Sequence, residues 1–182
     1  MRWLFPWMLL AAAPGFCQAR VGEHPAPVSE HQVKAAFLYN FAKFVRWPSP
    51  AQARGPVRIC LAEEGRIGEA LRVLVAGQTL DGRPFEVTAI ASLEQAASCQ
   101  ILFVGEASRK RSRSLLARLE TRPVLTVGES EGFAATEGMM NLRVAGGRVH
   151  VEVNPEAASR AGLQVSSKLL RLAEIVPPKG ER

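Results

Sequence analysis

Apolar residues recur at helical spacing between Ser29 and Pro48. Their period of about 3.6 residues is that of an amphipathic helix with one buried stripe. The spacing of Ser29 and Gln32 is typical of a capping box at the start of the helix. Val28 and Val33 have the spacing of a hydrophobic staple at the start of the helix, and Pro48 predicts the end of the helix. We therefore predict a first helix that buries an apolar stripe: Val33, Phe37, Leu38, Phe41, Phe44 and Val45.

Short apolar strands and helices alternate through the middle of the chain. Strands are predicted where aliphatic residues form short runs, and helices where apolar residues return to the helical period. This alternation favours a parallel sheet with helices on both faces, because each crossover packs a helix against the sheet. The predicted strands are 57–62, 85–90, 101–104 and 124–127, and the predicted helices are 67–75, 93–97 and 111–119.

Two runs of alternating apolar and polar residues follow, 141–145 and 148–154, joined by Gly146-Gly147. Glycines tolerate positive φ, which suits a two-residue hairpin turn. Leu80-Asp81-Gly82-Arg83 is a turn signal as well. Short helices are predicted over 155–162 and 168–176. The expected fold class is α/β: a Rossmann-like sandwich, with a mainly parallel sheet, helices on both faces and a C-terminal β-hairpin.

The N-terminus is typical of a secretory signal peptide over residues 1–19. Arg2 supplies a positive charge, Trp3 to Ala13 form an apolar core too short to span a bilayer, and Cys17-Gln18-Ala19 is a small-x-small cleavage site. We expect cleavage near Ala19 and a soluble periplasmic product. The mature chain is expected to comprise a flexible lead-in over 20–28, a single domain over 29–176 and a tail over 177–182.

Cleavage would leave two of the three cysteines, Cys60 and Cys99. In an oxidising compartment such a pair is most simply a disulfide, and two buried thiols are the alternative. Two cysteines without a nearby histidine supply half of a metal site, so no metal is expected. Acylation at Cys17 is disfavoured, because lipoprotein processing favours a small residue where this chain has Phe16.

Composition and motifs argue against several function classes. The net charge is +6, but the one dense cationic run, Arg109 to Arg113, has no aromatic residue to stack on a base, so nucleic acid is not an expected partner.

Ser130 lies in a G-x-S-x-G motif that leads to a hairpin rather than to the helix of a nucleophile elbow. Glu63 and Glu64 follow the first strand, where they would repel the phosphates of a Rossmann cofactor. We therefore expect a binding or regulatory protein rather than an enzyme, with no cofactor.

Several segments, in order, resemble the YfiR-like family of periplasmic proteins, from about Glu30 to Val176. They are Val33 to Val45 with Trp47-Pro48, Gly77 to Pro84, Cys99 to Phe103, Pro123 to Val127 with Gly132-Phe133, Gly138 to Leu142, Gly147 to Val149 with Glu152 to Asn154, and Ala161 to Leu170. The resemblance implies a periplasmic repressor of cyclic di-GMP signalling. Such a repressor binds the periplasmic sensor region of an inner-membrane diguanylate cyclase, and an outer-membrane lipoprotein can sequester it.

Two alternatives remain open for the function. The partner is a diguanylate cyclase or another membrane sensor, such as a histidine kinase. The other possibility is a periplasmic protein that binds or senses a small solute, although about 160 mature residues are too few for two full lobes around a cleft. Dimerisation would serve either role, and we expect a homodimer.

The candidate surface for a partner or small ligand lies on and after the first helix. Aromatic and basic residues are enriched at interfaces, which favours Tyr39, Lys43 and Trp47. Asn40 borders the apolar stripe, and Asn141 lies beside the turn at Gly138. For both asparagines the alternative is a structural role through a buried hydrogen bond.

Overall fold

The computed structural model describes residues 28–48 and 55–177. The predicted signal peptide, most of the lead-in and nearly all of the tail lie outside the described residues. No helix in the described part of the chain is long and apolar enough to cross a membrane. The helices are α1 (Glu30–Phe44), α2 (Arg66–Val75), α3 (Leu93–Ala97), α4 (Arg109–Leu119), α5 (Phe133–Thr136), α6 (Pro155–Arg160) and α7 (Ser167–Leu170).

An eight-stranded sheet forms the centre of the protein, in the order β10-β8-β7-β6-β5-β2-β4-β3. Strands β4, β2, β5, β6 and β7 are parallel, whereas β3 and β8 run antiparallel to their neighbours β4 and β7. Strands β1 and β9 form a separate antiparallel pair. The strands are β1 (Val45–Arg46), β2 (Val57–Leu61), β3 (Thr79–Leu80), β4 (Arg83–Ala89), β5 (Ile101–Val104), β6 (Leu125–Gly128), β7 (Met140–Ala145), β8 (Arg148–Val153), β9 (Gln164–Val165) and β10 (Glu174–Ile175).

The two faces of the sheet carry two apolar clusters. In β5, Ile101 and Phe103 join the main cluster with α1, α2 and α6, while Leu102 and Val104 join a second cluster with α3, α4 and α5. Successive side chains of a strand point to opposite faces, so a strand that is apolar throughout requires cover on both sides. The predicted α/β sandwich, with a mainly parallel sheet and a C-terminal hairpin, is confirmed.

Three local signals in the sequence are confirmed. Ser29 and Gln32 form the predicted capping box, with reciprocal side chain to backbone hydrogen bonds. Asp81-Gly82 turns the chain between β3 and β4, with φ angles of 52° and 75°. Gly146-Gly147 turns it between β7 and β8, with φ angles of 57° and 72°. Positive φ at both central residues is the geometry of a tight hairpin turn.

The predicted end of α1 is wrong. The helix ends at Phe44 rather than at Pro48, because Val45 is extended and pairs with Val165 in the β1–β9 ladder. The backbone O of Phe44 also accepts a hydrogen bond of 2.8 Å from Ser166 N. The predicted staple fails as well, since Val28 is 71% exposed. Partners more than a hundred residues away in the chain therefore decide where this helix stops.

The predicted last helix over 168–176 is also wrong in its second half. Helix α7 ends at Leu170, and Glu174 and Ile175 form β10, parallel to β8. Val176 N donates a hydrogen bond of 2.9 Å to Val153 O. The open edge of β8 offers backbone groups to this segment, and pairing there overrides the local helical pattern.

Helix α5 is a single turn that the sequence pattern did not predict. It positions Phe133, which is fully buried in the second cluster. The Phe133 ring lies against the backbone of Gly128 and Gly138, and a Cβ atom at either glycine would overlap the ring. Glycine is therefore required at both positions so that the aromatic ring can lie between them.

Candidate functional site

The second half of α1 presents Tyr39 and Lys43 together. The Lys43 ammonium lies 3.9 Å from the centroid of the Tyr39 ring, within cation–π range. Tyr39 is held in turn by Phe85, with ring centroids 5.2 Å apart, and its hydroxyl donates a hydrogen bond of 3.2 Å to Gln78 Oε1. The aromatic ring is fixed and half-buried, while the lysine is exposed. A fixed ring beside an exposed cation is a suitable contact for an anionic or aromatic group of a partner.

Asn40 and Trp47 lie near this pair in sequence but differ in environment. Asn40 is half-buried on α1. Trp47 follows β1 and packs against the main apolar cluster. Its indole Nε1 is buried without a hydrogen-bond partner among the described residues. Much of Trp47 therefore contributes to the core.

Asn141 lies on the opposite face of the sheet. Its neighbours Met140 and Leu142 belong to the main cluster under α1, so alternation along β7 turns Asn141 away from α1. Asn141 is fully buried and donates a hydrogen bond of 2.9 Å from Nδ2 to Glu152 Oε2. Glu152 also accepts a bond of 2.7 Å from Arg143 Nε. The structure thus brings Tyr39 and Lys43 together and separates Asn141 from them.

A crevice lies at the carboxyl ends of β2, β5 and β6. In a doubly wound sheet this is the switch point where cofactors bind, because β4 and β5 flank β2 on opposite sides. Here the crevice has a volume of about 220 Å³ and is lined by Glu63 and Glu129. A Cβ atom on Gly105 would lie 2.9 Å from Glu63 Oε1 and 3.3 Å from Glu129 Oε1. Carboxylates on both sides of this glycine disfavour a bound phosphate.

Cations fix these carboxylates in place. Arg111 forms an ion pair of 2.6 Å with Glu63. Lys34, only 5% exposed, forms ion pairs of 2.6 Å with both Glu129 and Glu30. Glu129 Oε1 also accepts a hydrogen bond of 3.2 Å from the Glu106 backbone N. Helix α1 is therefore connected to the loops after β5 and β6 by charged groups.

Sequence reasoning missed Lys34, although a signal was present. Lys34, Leu38, Phe41 and Val45 follow helical spacing, so the lysine shares the stripe that packs against the sheet. Burial by itself would lower the pKa of Lys34. The hydrogen bonds that Lys34 donates to Glu129 and Glu30, with the charges of these two carboxylates, outweigh burial and raise the pKa of Lys34 above its usual value of 10.5. Lys34 is therefore charged at neutral pH.

The serine of the G-x-S-x-G motif lies in the protein interior. Ser130 is 1% exposed, and its Oγ has no hydrogen-bond partner among the described residues. A nucleophilic serine requires a base bonded to that hydroxyl and an open approach for the substrate. His150, the only histidine after Ser130 in the chain, is exposed on β8. Within residues 28–48 and 55–177 no group of three metal-ligating side chains comes together either.

The predicted pairing of Cys60 and Cys99 is confirmed. The two residues are disulfide-bonded, fully buried and joined with a Cα–Cα distance of 6.0 Å. The bond connects β2 to the segment just after α3 in the second apolar cluster. A disulfide of this kind persists in an oxidising compartment such as the periplasm.

The chain matches the model of the YfiR/HmsC-like family over residues 31–174. The match begins in α1 and ends at the first residue of β10, so it covers the sheet, both apolar clusters and the disulfide. The resemblance recognised from sequence segments is confirmed. The protein belongs to the YfiR/HmsC-like family, whose members are regulatory proteins of the periplasm.

Proposed function

We propose that the protein is a repressor that binds the periplasmic region of an inner-membrane diguanylate cyclase and lowers cyclic di-GMP synthesis. The observation that carries the proposal is the family match over residues 31–174. The buried disulfide supports action in the periplasm. Ser130 lies buried with no base bonded to its hydroxyl among the described residues, and carboxylates line the cofactor crevice, so the site chemistry supports a protein that acts by binding.

The partner contact is proposed at the exposed half of α1. Lys43 is exposed, and the Tyr39 ring is held by Phe85 and Gln78. A rigid aromatic side chain loses little conformational entropy on binding, which favours it as an anchor. In this proposal an outer-membrane lipoprotein releases the cyclase by occupying the repressor, and the repressor acts as a homodimer.

Deleting the gene in its host is expected to raise cellular cyclic di-GMP. The physical reason is that an inhibited enzyme regains activity when its inhibitor is removed. The measurement is cyclic di-GMP in cell extracts by mass spectrometry, for the parent strain, the deletion strain and the deletion strain complemented with the exported protein. Unchanged cyclic di-GMP in the deletion strain would contradict the proposal, and would direct attention to another membrane sensor.

Replacing Lys43 by glutamine is expected to weaken binding to the cyclase periplasmic region by about tenfold, the effect of losing about 1.4 kcal/mol at an interface. The melting temperature should change little, because losing this exposed side chain with its cation–π contact costs about 1 kcal/mol at most. Lys110→Gln on α4 is the matched control, since Lys110 is also exposed but lies on the other side of the sheet. Equal affinities of the two variants would rule out this surface. Trp47 is a poor probe, because it packs against the core.

A further inference from the structure

A groove of about 560 Å³ lies between α4, α5 and α6. Thr126 of β6 and Met139 form its floor, each 3% exposed. Its volume lies within the range of roughly 300–1,000 Å³ that is typical of small-molecule sites. The groove is separate from the proposed Tyr39–Lys43 contact, because neither residue lines it.

The walls of the groove are fixed by a buried asparagine. Asn154 is 2% exposed, and its Nδ2 donates a hydrogen bond of 3.0 Å to Ala134 O in α5. Its Oδ1 accepts a bond of 2.9 Å from Ala157 N and so caps α6. Phe133, packed against Gly128 and Gly138, holds the other side of α5. The one-turn α5 leaves part of the sheet uncovered, and these contacts hold the opening at a defined width.

The lining of the groove is apolar at depth and carries charged groups of both signs at the rim. Leu116 and Ala134 are buried in the lining with Met139, while Arg113 and Arg160 are exposed at the edge. The depth therefore suits an aliphatic or aromatic group, and the guanidinium groups at the rim can bind a negative charge. Thr126 adds a hydroxyl to the floor.

The ion pairs at the rim leave Arg160 the most open to a negative charge on the ligand. Glu137 already binds two cations, Arg109 Nε at 3.0 Å and Arg113 Nε at 3.2 Å. Arg160 has an ion pair only with the exposed Glu120, at 3.7 Å, among the described residues. Exposed pairs of this length contribute little and exchange readily. Arg109 does not line the groove, so the lining carries two guanidinium groups, Arg113 and Arg160, and two carboxylates, Glu120 and Glu137. Arg160 has the longest of these ion pairs and is therefore the group most open to a carboxylate from a ligand.

We propose that this groove binds a small monocarboxylate with an apolar body. The carboxylate lies at Arg160 and Arg113, because a guanidinium group donates paired hydrogen bonds to a carboxylate. The apolar body lies over Leu116 and Met139 and covers the part of the sheet that α5 leaves open. The proposal stands independently of the repressor function, since its test uses the purified protein alone.

The test measures direct binding to the purified, disulfide-bonded protein. Phenylacetate and hexanoate serve as carboxylate probes, and phenylacetamide serves as the neutral analogue of the same shape. Calorimetry gives the affinity, and the melting temperature should rise with ligand concentration, because a ligand that binds only the folded state stabilises it. We expect at least one carboxylate to bind, and the amide to bind about tenfold more weakly.

Variants locate the site. Arg160→Gln is expected to weaken carboxylate binding about tenfold, and Ala117→Phe, from an exposed position on the α4 wall, to abolish it by filling the groove. Arg118→Gln is the matched control, because Arg118 lies on α4 outside this groove. If circular dichroism shows that the Ala117→Phe variant is unfolded, binding is measured with Arg113→Gln in its place. Absence of binding by both carboxylates at about 10 mM, equal binding of the amide, or unchanged affinity in the Arg160 and Ala117 variants would each overturn the proposal.

Discussion

Replacing Cys60 and Cys99 together by alanine is expected to lower the free energy of unfolding by about 4 kcal/mol. The two residues are 39 positions apart, and the bond removes loop-closure entropy from the unfolded chain. About 4 kcal/mol is a large part of the 5–15 kcal/mol that holds a typical domain folded. Urea denaturation monitored by circular dichroism measures the change.

Reductant provides the control for this prediction. Dithiothreitol should destabilise the wild-type protein by a similar amount and leave the double variant unchanged, because the variant has no bond to reduce. If the wild-type midpoint is the same with and without reductant, the disulfide does not stabilise the fold. A protein that depends on this bond reaches its stable state only after export to an oxidising compartment, which agrees with the periplasmic location of the family.

The sequence predicted those features of the fold that depend on neighbouring residues. The capping box at Ser29 and the turns at Asp81-Gly82 and Gly146-Gly147 are set by local chemistry, and all three are present. The apolar strands of the parallel sheet were also predictable, because a strand covered on both faces is apolar throughout. The pairing of the two cysteines followed from their number and the expected compartment.

Features that depend on distant partners were not predicted. Val45 leaves the helix because it pairs with Val165, and Glu174 joins the sheet because the edge of β8 is open. Asn141 is a candidate surface residue by sequence, but its hydrogen bond to Glu152 and its full burial give it a structural environment on the other face. Hydropathy along one segment carries no information about such pairs.

Lys34 is the clearest example of a residue whose role depends on a distant partner, because Glu129 is 95 residues away in the chain. Replacing Lys34 by methionine is expected to lower the free energy of unfolding by about 3 kcal/mol, because Glu129 would keep a partly buried charge without its cation. Lys43→Met on the same helix is the matched control. Lys43 is exposed, so this change should stay within about 1 kcal/mol, including its cation–π contact.

The loss of stability caused by Lys34→Met should become smaller at high pH. The pKa of Lys34 is raised in the folded state, so its stabilising contribution is complete below the usual value of 10.5 and is lost as pH rises through the folded pKa. The difference between wild type and Lys34→Met in urea denaturation should therefore be constant near neutral pH and shrink above about pH 10.5.

Adding Glu129→Gln to Lys34→Met should restore part of the lost stability, because the uncompensated carboxylate is removed as well. A double variant that is less stable than Lys34→Met alone would show that Glu129 acts mainly through its bond to Glu106 N rather than through the lysine.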